Sequence, residues 1–499
     1  MGNLLELTPD QRQAIREKST SKSSRTHKRN EQKASILVKY SISLVALSLL
    51  WLKSENQGPA AIDALLAAIV LTVFFIDMLL TRVQNLISTL LLATMVIPVV
   101  YSTAYIEYGN YMSEQGVYGE PTGATIRYCF AVLILYFSIE LVVPAQSAYG
   151  SQFGDLEESL RSDRLFRFTK YFVFIAFALS FAILLLHGVP FVSKVDRFAY
   201  WSGLPMAFSR LPYLLSIVAL FVGLSISERR ERGLPKDWLL ISFIPASMLV
   251  LLLFSEKFTG LFQLLIHLVM GYFLGRFRGR NFNFSAPRLL LASTAAGLFL
   301  LGSVVTGYVR LYHYTPAQAV GKLIDRAFGQ QGHVWFGIDK LVANGGGASS
   351  SFDSLLGSGA QPIFGMNELM LLVSPQSFVL RMWELNSSFT MGGTAIGLWA
   401  FGTPGLMIYQ IVAGVLIGVV IRFMIYAARR LSWVGVTFGI YSLRVCVISF
   451  IAKDPSELLD PISLFGLLGL FLWRAWVALT TRGDETGSRV WAQTEPNKL

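Results

Sequence analysis

The sequence predicts an all-α, polytopic helical membrane protein with about twelve transmembrane helices and one large periplasmic loop containing short helices. Composition is the first reason: hydrophobic residues make up 53% of the 499 positions, charged residues only 15%, and the mean hydropathy is +0.53, outside the soluble range. Apolar runs of membrane-spanning length recur along the chain, which is the second. The third is that Lys and Arg gather in alternate short connections between those runs.

Residues 1–34 carry Lys18, Lys22, Arg25, Lys28, Arg29 and Lys33 among Ser, Thr and Gln, a composition that buries no core. A disordered basic cytoplasmic tail is expected, acting as a topology signal with affinity for anionic lipid heads. The run that follows lacks the short apolar segment and small-residue cleavage site of a secretory signal, so it should remain as an anchor. A membrane domain is expected over 35–480, with apolar runs at 36–52, 59–80, 84–105, 126–146, 168–187, 209–227, 238–254, 259–275, 289–308, 396–424, 433–451 and 460–480. An even number of spans leaves both termini in the cytoplasm, with 481–499 as a short C-terminal tail, and the basic connections agree. They are Arg161, Arg164, Arg167 and Lys170; Arg229, Arg230, Arg232 and Lys236; Arg276, Arg278, Arg280 and Arg288; and Arg429 and Arg430. The connection 107–123 is complementary, holding Glu107, Glu114 and Glu120 without Lys or Arg. Gly402, Thr403, Pro404 and Gly405 interrupt the longest run and predict a short re-entrant piece before the true span.

Two outer segments stand out, 188–208 and 312–395. The longer has a Gly- and Ser-rich stretch from Asn344 to Ser351, but Trp335, Phe336, Ile338, Phe364, Met370, Leu371, Phe378 and Trp383 give its flanks apolar surface to pack. Short helices docked on the membrane domain are expected there. Cys129 and Cys446 both fall inside apolar runs and read as packing residues, not a disulfide.

The net charge of +11 is spread over connections, without the aromatic-interleaved patch that tracks nucleic acid. Neither a Gly-rich dinucleotide turn nor a P-loop occurs, and the five His are scattered, so no cofactor and no metal is predicted. The outer segments hold cations without obvious partners in the sequence: Lys194, Arg197 and Arg210 in or beside the short one, and Arg310, Lys322, Arg326, Lys340 and Arg381 in or beside the long one. Phosphate is the ligand class they suit, because the planar guanidinium binds its oxygens bidentately; solvated loop charge or headgroup anchoring is the plainer reading of any one of them. Ser255-Glu256-Lys257-Phe258-Thr259-Gly260 places a Glu-Lys pair on an abrupt turn between two spans, where charge is costly unless used or paired. Arg444 falls near the middle of a span, where insertion costs about 2.5–3.5 kcal/mol, and should face the protein interior or a wet cavity. Asp77 and Glu140 lie near cytoplasmic ends and can reach water, while His187 and His267 read as ordinary helix residues.

Together the many-helix body, the outer Asp196-Arg197-Phe198-Ala199-Tyr200, the Ser255 to Gly260 turn, the long late loop, and Asn386-Ser387-Ser388-Phe389-Thr390-Met391-Gly392-Gly393 leading to Gly402-Thr403-Pro404-Gly405 resemble the Wzy-type O-antigen polymerases. Some members carry an Arg with a Gly eleven positions on in each of two periplasmic loops; Arg326 and Gly337 keep that spacing, whereas Phe208 stands eleven beyond Arg197. The resemblance implies an enzyme of the bacterial inner membrane. It would join undecaprenyl-pyrophosphate-linked oligosaccharide repeat units, as donor and acceptor, on the periplasmic face, with membrane lipid and a chain-length regulator as partners. Preorganised cations in a water-poor site would then stabilise the pyrophosphate leaving group. Arg326 and Lys257 are the candidate catalytic cations, with His333, Glu384 or Glu256 as base toward the acceptor hydroxyl. Lys194, Arg197, Tyr200, Arg210, Arg310, Arg381 and Arg444 are the candidate substrate contacts. An O-antigen ligase acting on lipid A-core, or a transporter of lipid-linked sugars, is the alternative.

Overall fold

The computed structural model describes the chain except residues 1–37, 82–85, 144–154, 196, 206–207, 209–210, 257, 277–285, 347–364, 385–388, 390 and 494–499. The predicted basic tail, Asp196, Arg210, Lys257, most of the Gly/Ser stretch and Asn386 to Ser388 therefore lie outside the described residues.

A helix stands at each predicted apolar run. In chain order they are α1 (38–57), α2 (Ala61–Thr81), α3 (Leu86–Glu107), α4 (Ala124–Val142), α5 (Asp155–His187), α6 (Leu211–Glu231), α7 (Trp238–Leu253), α8 (Phe258–Arg276), α9 (Ala286–Tyr312), α10 (Gly393–Arg429), α11 (Trp433–Val447) and α12 (Pro461–Gln493). Eight helical segments among the described residues are long and apolar enough to cross a membrane, and Trp238–Leu253, Gly260–Arg276 and Gly297–Tyr312 are shorter apolar helices. The chain is thus a helical protein compatible with a membrane. Its two ends differ: a basic face holds Arg161, Arg164, Arg229, Arg230 and Arg276, and a loop face holds the long connections.

Small residues set the closest helix contacts. A Cβ on Gly223 or Gly271 would strike the carbonyl of Leu268 or Leu220, so α6 and α8 meet backbone to backbone. Gly414 and Gly418 do the same for α10 against Leu135, Ser138 and Ile139 of α4. The apolar interior has two main parts. One joins α1–α4 to α10–α12; the other joins α5–α8. Toward the basic face they merge, since Leu165 of α5 and Met270, Phe273 and Leu274 of α8 belong to the first part, and Phe168 stacks on Trp433 at 4.6 Å. Toward the loop face, Ile183 and Leu184 of α5 and Leu261 and Leu264 of α8 belong to the second.

The interruption predicted in the longest run is present: Gly402, at φ 66° and ψ −173°, breaks α10 just before Pro404. The preceding half-helix is buried, and Gly393 lies against the backbone of Phe450 and Ile451 where α11 passes into a π-turn, Ile448–Ala452. Met391 N–H donates to the Ala452 carbonyl at 2.8 Å, closing that seam. Short helices also occur in the long connection, at Pro316–Ile324, His333–Ala343, Met366–Val373 and Gln376–Glu384, with a π-turn at Asp325–Gly329. The connection 107–123 adds what the all-α expectation did not include, a two-stranded hairpin, β1 (Tyr111–Met112) with β2 (Val117–Tyr118), pairing Tyr111 with Tyr118.

Candidate functional site

Glu256 sits at the turn between α7 and α8, with Ser255 in the left-handed region at φ 58°. Arg197, on the short helix Arg197–Ser202, donates from Nη1 to Glu256 Oε2 at 2.8 Å, and Trp201 Nε1 donates to Oε1 at 3.1 Å. Both carboxylate oxygens are therefore engaged, and the loop charge at this turn is paired. Gly260 leaves the room, since a Cβ there would lie 2.9 Å from Oε2. Tyr200 donates to the Gly188 carbonyl at 3.2 Å, and burial pushes its phenol above the ordinary range. Lys194 caps the preceding helix, Pro190–Ser193, at φ 58°.

The short connection and the cations of the long one meet at the loop-face end of α9. Arg310 donates from Nε to the Phe191 carbonyl at 3.3 Å, and its Cζ lies 4.6 Å from the centroid of the Phe191 ring. Arg326, exposed on the π-turn, donates from Nη1 to the Tyr308 hydroxyl at 2.8 Å. Tyr308, Tyr312 and Tyr314 stand together there, their ring centroids 5.8–6.3 Å apart. This rim of Arg310 and Arg326 with tyrosine faces suits a sugar phosphate: guanidinium for the oxyanion, aromatic surface for the sugar ring.

His333 and Lys340 go elsewhere. His333 is buried, its Nδ1 against the Gln330 carbonyl, its Nε2 2.6 Å from Glu114 Oε2, and its ring edge-on to Phe389 at 4.5 Å. Both ring nitrogens thus face acceptors. Gln115 Nε2 donates to the His333 carbonyl at 2.7 Å, Lys340 pairs with Glu120 at 2.6 Å, and Arg127 grips Asp339 with Nε and Nη2. Gly332 N–H donates to Ser102 Oγ at 2.8 Å, and Trp335 Nε1 to the Ala124 carbonyl at 2.9 Å. The third acid, Glu107, is buried and takes the Thr122, Gly123, Ala124 and Thr125 amides at 2.5–3.0 Å, capping α4. The acidic connection is thus the dock for helix His333–Ala343, which sequence reasoning missed. The available signal was the complementary charge of the two loops.

Arg381 and Glu384 lie exposed on Gln376–Glu384, and among the described residues neither joins the dock or the rim. Arg444 faces the interior, half-buried, with its Cζ 3.8 Å from the Tyr213 ring centroid on α6, and Tyr441 stands 6.1 Å from Tyr213. Among the described residues no carboxylate lies within ion-pair distance of Arg444, and none of their His, Cys, Asp and Glu form a group of three able to hold a metal.

Residues 360–454 match a family described as a family of unknown function (DUF6418), a stretch that takes in Arg381, Glu384, the half-helix, α10 and Arg444. No curated protein and no solved structure matches the chain.

Proposed function

We propose that this chain is a membrane glycosyltransferase that polymerises undecaprenyl-pyrophosphate-linked oligosaccharide repeat units on the periplasmic face of a bacterial inner membrane. In this reading all twelve long helices cross the membrane, the basic face is cytoplasmic and the loop face periplasmic. The observation that carries it is the meeting of Arg310 with Phe191, 119 positions apart, beside Arg326 on Tyr308. A cation at the edge of the long connection and one within it thereby share a rim with three tyrosines, and the rim touches the short connection at Phe191. An acceptor hydroxyl would attack the anomeric carbon of the donor, the bond to the pyrophosphate oxygen would break, and the departing negative charge would fall to these guanidinium groups. Glu384 is exposed and pairs with no cation among the described residues, whereas Glu256 and His333 are held by partners, which favours it among the three candidate bases for the hydroxyl proton.

Reconstitution of the whole chain with lipid-linked repeat units alone is the test. Growth of a polymer ladder is the expected result. Inertness until lipid A-core is added would make it a ligase, and leaflet transfer without bond formation would make it a transporter.

A further inference from the structure

We propose that the short helix Pro316–Ile324, with the π-turn that continues it, is a membrane-surface helix: it lies beside α9 in the leaflet on the loop face, one apolar side against the acyl chains. This rests on the part of the reading above in which α9 crosses the membrane, and not on the activity.

The sequence sorts this helix into rows. His313, at φ 57°, turns the chain after α9, and Thr315 and Gln318 cap the new helix reciprocally, at 2.9 and 3.3 Å. Residues four apart share a side of a helix. Ala319 and Leu323 form one row and join Val304, Val305, Tyr308 and Val309 of α9 in a small apolar cluster. Gln318, Lys322 and Arg326 form a polar row, with Arg326 bonded to the Tyr308 hydroxyl. Val320, Ile324 and Phe328 form the third row, which is apolar yet 40%, 49% and 42% exposed. A Cβ on Gly321, just beyond Val320, would meet nothing within 4 Å. The two apolar rows adjoin, giving a stripe wide enough to pack on two sides, and α9 takes only one of them.

Continuity with α9 decides what covers the open row. Leu298, Leu301, Val305, Tyr308 and Tyr312 recur at steps of three and four residues along one side of α9. The short helix covers that side at Val305 and Tyr308, while Leu298 and Leu301 stay 63% and 44% exposed. Ala319 clusters with Val304, eight residues before the end of α9 at Tyr312 and so about 12 Å back along its axis. The short helix therefore lies alongside the last turns of α9, not beyond them. Its open row joins the open stripe of α9 in one apolar surface, and where α9 crosses the membrane that surface meets lipid. Tyr312 and Tyr314, their ring centroids 5.8 Å apart at the turn, are residues of the kind that sits at a membrane–water boundary. Lys322 and Arg326 stand on the opposite side of the short helix from Val320 and Ile324, facing headgroups and water, so burial of the open row fixes the height of Arg326.

The experiment uses the full chain in nanodiscs, with one nitroxide spin label attached through Val320→Cys, Ile324→Cys, Lys322→Cys or Leu298→Cys; the native Cys129 and Cys446 are buried. Collisions with oxygen, which concentrates among acyl chains, are compared with collisions with a water-soluble nickel chelate. Labels at 320, 324 and 298 should favour oxygen, those at 320 and 324 lying about 5–10 Å below the headgroup boundary, and the label at 322 should favour nickel. Adding Ile324→Asp should shift the label at 320 from lipid to water, whereas adding Lys322→Asp should leave it in lipid. Nickel access at 320 and 324 equal to that at 322, with 298 still in lipid, would overturn the proposal and leave the membrane reading of α9 standing. A label at 298 in water would overturn both. Protection of 320 and 324 from both reagents would mean that protein covers the row, and would also overturn it; spin–spin broadening relieved by unlabelled chain would then identify that protein as a second copy.

Discussion

Replacing Arg127 with Leu should release helix His333–Ala343 from its dock. Arg127 Nε lies 2.6 Å from Asp339 Oδ1 and Nη2 reaches Oδ2, a two-point grip with side-chain exposures of 18% and 2%. Breaking one partner of a buried pair leaves the other charge uncompensated, at a cost of about 3–5 kcal/mol. At about 1.4 kcal/mol per tenfold, amide hydrogen exchange across 333–343 should speed up by roughly two to four orders of magnitude. The double replacement Arg127→Leu/Asp339→Leu should recover most of that protection, because neither charge remains. Acidity adds a signed check. Burial, only partly opposed by the bond from Arg127, holds the Asp339 carboxyl above the ordinary carboxylate range. Its contribution to docking is therefore fully present below the unfolded carboxylate value and is lost as pH rises through the elevated folded value. Without Arg127 the elevation grows, so the single variant should exchange nearly normally in acid and fast at neutral pH. Additive effects, with a coupling below about 0.5 kcal/mol as for exposed pairs, would refute the reasoning.

Lys340→Ala should barely change the same exchange, by about 0–1 kcal/mol, because its partner Glu120 is 57% exposed. Gly271→Leu should lower the melting temperature, losing about 1–3 kcal/mol or more, since its Cβ would meet the Leu220 carbonyl, whereas Gly302→Ala, with open space around it, should not. Arg326→Ala should abolish polymer growth in the reconstituted assay while the protein still inserts and melts normally, its side chain being exposed with a single bond to Tyr308; full-length polymer from that variant would remove Arg326 from the site.

Helices with apolar middles were the legible part of this chain. Runs expected at 59–80 and 238–254 appear as Ala61–Thr81 and Trp238–Leu253, because apolar length and flanking turns decide them locally. Expected ends slipped where the helix continues past the lipid-like segment: the run at 168–187 is the last part of α5, which starts at Asp155 and carries Arg161, Arg164 and Arg167 on its first turns. Hydropathy does not register those turns, though Arg and Glu favour helix. The Gly402 to Pro404 break was legible for the opposite reason, that one residue free to take positive φ and one lacking an N–H leave little choice.

Partnerships across the loop face were not legible, and their physical origin explains why. Glu114 and Glu120 look only like acids suited to an outer loop until folding brings them to His333 and Lys340, more than 200 positions on. Nothing local in either segment records the other. The π-turn Asp325–Gly329 matters for the same reason, because it carries Arg326, which faces Tyr308 on α9, and leads to His333, which faces Glu114. A π-turn adds a residue to one turn and so re-aims the side chains that follow. One short segment thereby serves both the dock on α3 and α4 and the cation rim on α9. Residues seven apart, read together in sequence as one catalytic group, are separated by this fold: His333 is buried in the dock against Glu114, while Arg326 is exposed beside Tyr308.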